Sequence, residues 1–397
     1  MTKKLNIFSI STLLFLILGW KLNRLLLPGI NTVLWDMHIY FMILFSSLIV
    51  FILPKKLNQS DLLIIFLILF LILSSILKLI VYKTNNSEIY YLVNYLLPVF
   101  FYFWGRYLIL KNEFKRIDTF IVILFIFLII IESFNYISAN FITNDLIHRN
   151  LGNELFQGSR SFTGDLNTGD FPIIFNIVYR PLGISLTQYA SSCLILAISF
   201  YLFFSSEKKF SVRFLFSIIG MLLVFFYAVG TTYLIFIIAI FISIPGKHLL
   251  KFIFFPLMII GSVTILFFKQ VEKLYIFIFD LIKNISVSSD SLIYFFFGGG
   301  YTAYGNIAGE IFLLTLPFII GVFPFIILIY LLYLNIFNKK NEFFYIKIFL
   351  IIIFLCSFHY NTLFMYPNSL LFFFFIGYLS SSHEKQISHY DAQKNIK

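Results

Sequence analysis

Stretches of about 20 apolar residues recur along almost the whole chain, each long enough to cross a hydrocarbon layer roughly 30 Å thick. No other feature constrains the fold as hard. In lipid every backbone amide must be satisfied internally, which leaves only α-helices and closed β-barrels. The runs are continuously apolar rather than alternating, and that excludes the barrel. The chain is 60% hydrophobic and 12% charged, with mean hydropathy +0.95. A soluble domain carries about twice that share of charge. The expected fold class is therefore all-α, a polytopic transmembrane helical protein.

The runs predict about 12 spans, near residues 5–22, 37–53, 61–81, 89–110, 117–137, 183–204, 212–229, 230–245, 250–268, 309–336, 343–360 and 364–381. The seventh and eighth are separated only by a tight turn at Val229-Gly230-Thr231. Pro98, Pro256, Pro317 and Pro324 fall within or near spans, where neighbouring helices can satisfy the carbonyls that proline frees. The N-terminus has the two lysines and apolar stretch of a signal peptide but no small-residue cleavage site, so it reads as an uncleaved first helix. Cys193 and Cys356 lie inside apolar runs and read as small packing residues.

Basic residues set the orientation. With Lys3 and Lys4 in the cytoplasm and the spans alternating, 18 of the 29 Lys and Arg residues fall on the inner side. Every inner loop is short and carries at least two of them, as the positive-inside rule requires. The net charge of +11 thus reads as topology rather than as nucleic-acid affinity. Both termini are expected in the cytoplasm, with one membrane domain (1–379), two large outward loops (138–182 and 269–308) and a polar, poorly ordered tail (380–397).

The outward loops hold the candidate chemistry. In the first, Arg149, Arg160 and Arg180 accompany Asp145, Glu154, Asp165 and Asp170. As a solvated loop these charges pair with one another, each pair contributing little. Arg180 stands apart, in "FPIIFNIVYRPLGISLTQ" just before a span. There Pro181 fixes the backbone and pushes Arg180 out of the α region. A guanidinium held at the outer interface matches phosphate oxygens bidentately, and Arg160 can supply a second grip. In the second loop, Gly298-Gly299-Gly300 is followed by no Gly-Lys-Ser/Thr, so it is no nucleotide P-loop. The glycines either admit a close backbone approach or simply turn the chain.

Glu310 begins the tenth span, as a favourable charge at a helix N-terminus or as a general base. His359, at the outer end of the eleventh, reads as an interfacial anchor or as the base. Glu132 is an intramembrane acid near an interface. No Asp-x-Asp, Gly-x-Ser-x-Gly or His-Glu-x-x-His occurs and no zinc-type spacing of Cys and His, so neither a metal nor another cofactor is expected.

The topology, the "YRPLGISL" at Arg180 and the glycine-rich "GGGYTAYGNIAGE" running on to "LPFIIGVF" resemble the bacterial O-antigen and polysaccharide repeat-unit polymerases and the related O-antigen ligases. The likeness covers the whole chain in topology and about 50 residues in motif. It departs in the later loop: between 269 and 308 there are three lysines but no arginine or histidine, which weakens the ligase reading. The resemblance implies transfer of a glycan from undecaprenyl diphosphate to a lipid-linked repeat unit, on the outer face of the cytoplasmic membrane. Arg160, Arg180 and Asp170 would bind substrate, and Glu310, with His359 as the fallback, would act as the base. The partners implied are the lipid-linked oligosaccharides, membrane lipids and a chain-length regulator, with no nucleic acid. A lipid-linked oligosaccharide flippase is the alternative of another class, disfavoured by the unequal loops and by the scarcity of charge in span centres.

Overall fold

The computed structural model describes residues 57–82, 87–110, 114–141, 188–205, 211–227, 229–243, 296–298, 312–337, 343–358 and 361–394. The spans expected near 5–22, 37–53 and 250–268 lie outside them. Among the described residues the secondary structure is entirely helical: ten α-helices and one π-helical turn. In chain order they are α1 (Gln59–Tyr82), α2 (Ser87–Leu110), α3 (Phe114–Phe141), α4 (Gln188–Ser205), α5 (Val212–Phe226), α6 (Gly230–Ser243), α7 (Phe312–Ile320), α8 (Val322–Leu332), α9 (Phe344–Cys356) and α10 (Asn368–Lys394), with the π turn (Tyr333–Phe337) following α8. One stretch, Gln59–Leu77 in α1, is long and apolar enough to cross a membrane, and shorter apolar stretches of 10–17 residues occur in α3 to α6 and α8 to α10.

The helices are built inside out relative to those of a water-soluble protein. On α1 the exposed positions are Leu62, Phe66, Leu69, Leu73 and Ile76, whereas Ser60, Asp61 and Ser74 are buried. On α5 the exposed stripe is Val212, Leu215, Ile218, Leu222 and Phe225, and Ser217 is buried. On α8 it is Phe323, Ile326, Ile329 and Tyr330. Each set recurs at three- and four-residue spacing and so forms one face of a helix. A helix beside water turns its polar face outward; these turn it inward.

Two helices form the centre. From Leu370 to Leu379, α10 is buried on every side, and α4 is likewise buried from Ala190 to Leu202. A helix apolar all round requires neighbours all round. α10 packs most closely on α2, while α4 packs on α5 and α9, and α9 also touches α6 and α10. Glycine sets the α2–α10 approach. A Cβ on Gly105 would overlap the Phe374 carbonyl, and one on Gly377 would overlap the Tyr102 carbonyl. Each helix therefore presents its missing side chain to the other's backbone, the small-residue device of helix pairs in lipid. Aromatic edges fill the space around it, including Phe349 on Phe375 at 4.8 Å.

Three boundaries differ from those expected. The break between the seventh and eighth runs comes at Tyr227–Val229 rather than 229–231, because Tyr227 closes α5 through its N–H to Val224 and Phe225 and α6 starts at Gly230. The run 309–336 is two helices, parted at Gly321. Instead of ending near 380, α10 continues to Lys394: once the buried segment has formed, extending a helix costs far less than starting one.

Candidate functional site

Helix direction alternates from α1 to α6, and α7 and α8 run the same way as α6. The first residues of α1, α3, α5 and α9 and the last residues of α2, α4 and α8 share one end of the bundle, and that end gathers the described ion pairs. Asn58-Gln59-Ser60-Asp61 forms a capping box at the start of α1: Asp61 N–H donates to Asn58 Oδ1 at 2.8 Å, and Asn58 N–H donates to Asp61 Oδ2 at 2.7 Å. The Asp61 carboxylate also forms an ion pair with Arg106 of α2, both groups buried. Tyr102, one turn before Arg106, donates its hydroxyl to Asp61 Oδ1 at 2.7 Å.

That bond fixes the direction of the others. Tyr102 has already used its only proton, so Ser380 of α10 must donate across the 2.8 Å contact to Tyr102. Ser380 in turn accepts from Asn58 Nδ2 at 2.8 Å. The result is a closed circuit joining α1, α2 and α10. Beside it, Asn335 of the π turn donates to Ser60 at 3.2 Å and to the Leu331 carbonyl at 2.8 Å, bringing α8 to the same point.

The second pair is more open. Arg213 of α5 meets Asp118 of α3 at 3.0 Å, with side chains 32% and 23% exposed. Arg213 also donates to the Ser205 carbonyl at 3.2 Å, and Tyr201 of α4 donates to Asp118 Oδ1 at 2.7 Å. Tyr201 lies edge-on to Tyr345 of α9 at 5.0 Å, so this cluster ties together α3, α4, α5 and α9.

At the opposite end the contacts among the described residues are neutral. Asn368 Nδ2 donates to the Ala190 carbonyl at 2.9 Å, binding the start of α10 to the start of α4. Phe364 packs against Tyr95 of α2 at 4.5 Å and against Phe312 of α7 at 6.4 Å. Ser357 donates to the Ile353 carbonyl at 2.9 Å and shares a 2.8 Å hydrogen bond with Thr362.

Of the residues singled out in the sequence, Arg160, Arg180, Asp170, Glu310 and His359 all lie outside the described residues. The described residues nearest three of them in the chain do converge. The start of α4 follows Arg180, the start of α7 follows Glu310, and Phe358 and Asn361 flank His359; Asn368 and Phe364 link these starts and this turn directly. The side chain of Glu132, in α3, is likewise outside.

The Asp61–Arg106 circuit was missed in the sequence, although a signal was there. An N-cap asparagine with an acid three residues on, just before an apolar run, announces a capping box. An arginine within the following span then calls for a buried acid. Among the described residues, no group of three His, Cys, Asp or Glu could hold a metal ion. Comparison with protein-family models, with curated proteins and with solved structures returned no match.

Proposed function

We propose that this chain is a multi-pass protein of the bacterial cytoplasmic membrane, with about 12 spans and both termini inside. On this reading it is an oligosaccharide repeat-unit polymerase. It would move a glycan from undecaprenyl diphosphate to a lipid-linked repeat unit on the outer face. The apolar exposed stripes of α1, α5 and α8 support immersion in lipid.

One observation favours a transferase over a pump. Asp61 and Asp118 are each neutralised by an arginine at the end that the positive-inside rule assigns to the cytoplasm. In the described apolar stretches of α1, α3 to α6 and α8 to α10, the only Asp, Glu, Lys or Arg residues are Asp61, Asp118, Arg213 and Lys347, each in the first turn of its stretch, and Glu132 of α3 lies just beyond one. An ion-coupled transporter needs ionisable groups along its path. A transferase working at the outer surface needs none there.

The chemistry asks for little. Sugar C1 would pass through an oxocarbenium-like transition state. The diphosphate leaves as a stable anion, so it needs fixed cations rather than a proton donor. Arg180 and Arg160 fill that role in this proposal, with Asp170 in the same substrate-binding loop. Glu310, or His359 in its place, would take the proton of the incoming hydroxyl.

The test is Arg180→Ala with membrane insertion measured in parallel. The proposal expects long chains to disappear and lipid carrying a single repeat unit to accumulate. Wild-type chain lengths at normal insertion would refute it, as would a deletion strain that exports no repeat unit at all.

A further inference from the structure

Two buried glycines with positive φ meet at one point inside the bundle. Gly298 has φ +80° and Gly321 φ +100°, a region open to glycine and costly for other residues. Each one's missing side chain is occupied by the other's segment. A Cβ on Gly298 would strike the Ile319 carbonyl, the Gly321 nitrogen and the Ile320 carbonyl carbon. A Cβ on Gly321 would strike the Phe296 carbonyl oxygen and the Phe297 backbone.

The contact is deep. Ser74 of α1 donates to the Phe297 carbonyl, and Ser74 lies 15 residues beyond Gln59, or about 22 Å along a helix. Phe323 at the start of α8 stacks on Phe296 at 5.5 Å and on Phe70 of α1 at 5.7 Å. Residues 296–298 are therefore packed against the side of α1 and the start of α8. Residues 296 and 297 are helical and the helix ends at Gly298; a helix end in lipid needs protein to satisfy its last carbonyls. Here the Ser74 hydroxyl satisfies the Phe297 carbonyl, and the two glycines let the segments touch.

We infer that residues 296–298 are a clasp: the end of a helical segment whose Gly298 fills the break at Gly321 and so fixes the angle between two half-spans, α7 and α8. The helix is interrupted at Gly321, so its own hydrogen bonds do not hold α7 and α8 in line, and the clasp does. This inference goes beyond the glycan reading and needs only that the bundle sit in lipid, which alkaline extraction of membranes checks separately.

The experiment places a thiol at the clasp with Phe297→Cys, in a chain carrying Cys193→Ala and Cys356→Ala. A membrane-impermeant maleimide is then applied from the outer side. In the parent the thiol should resist labelling until the protein is denatured. Gly321→Ala, which forces the segment out, should raise the labelling rate about tenfold or more. Adding Gly298→Ala should change little further, since each glycine only makes room for the other's segment. If Gly321→Ala is not recovered in membranes, Ser74→Ala decides: loss of one hydrogen bond should raise labelling by a smaller but measurable factor. Rapid labelling of the parent would overturn the clasp, and so would rates unmoved by Gly321→Ala or, where that variant is lost, by Ser74→Ala.

Discussion

The two ion pairs at the charged end have the same chemical parts, a carboxylate, an arginine and a tyrosine hydroxyl, in different surroundings. Arg106 and Asp61 are 1% and 0% exposed, and the carboxylate has further donors in Tyr102 and the Asn58 amide. Arg213 and Asp118 keep about a quarter to a third of their surface open. Water and salt can replace Arg213 as a partner for Asp118. Nothing replaces Arg106 for Asp61, because desolvating an unpaired carboxylate costs several kcal/mol. The difference teaches that hydration, more than Coulomb attraction, decides which pair the fold depends on.

Four substitutions sharpen that comparison. Arg106→Ala should have the largest effect, a loss of about 3–5 kcal/mol because Asp61 is left charged and buried. It would be read as lost folded protein or a lowered melting temperature in detergent. Adding Asp61→Asn to Arg106→Ala should recover part of the loss, a sign opposite to additivity, since the second change removes the stranded charge. Tyr102→Phe should cost about 1–3 kcal/mol, as it breaks the circuit at two bonds and leaves Ser380 to find another acceptor. Arg213→Ala should cost less than about 1 kcal/mol. In the parent, raising salt to 1 M should close most of that gap while leaving the cost of Arg106→Ala unchanged. Equal costs for Arg106→Ala and Arg213→Ala would break the comparison.

Much of the architecture was legible, and the misses have physical causes. Hydropathy located α1 to α6, α9 and the buried part of α10 because each is apolar over most of its length. It could not locate the break at Gly321, since "PFIIGVFPF" is apolar on both sides and hydropathy does not register φ. The prolines at 317 and 324 drew attention to kinks, whereas the interruption falls on the glycine between them. The tail was read as poorly ordered from its polarity, but polar residues extend a helix already nucleated by the Leu370–Leu379 core. Gly298 meets both explanations for the glycine cluster, since its positive φ turns the chain at a helix end and its side-chain position is filled by the 319–321 backbone; Gly299 and Gly300 lie outside the described residues. The candidate site was legible only as residue types at loop positions. The described bundle adds the convergence of its nearest anchors at Asn368 and Phe364.

The placement of α10 bears on how the molecule is made. It occupies the middle of the bundle yet follows the other nine described helices in the chain. On the membrane reading proposed above, those nine would leave the translocon before their central neighbour exists, with the Gly105 face of α2 and the Asp61–Arg106 pair open to lipid or to provisional partners. Final closure would then be post-insertional, and a chain stopped just short of Asn368 would resemble a barrel stave assembly without its post, exposed to the membrane's quality-control proteases.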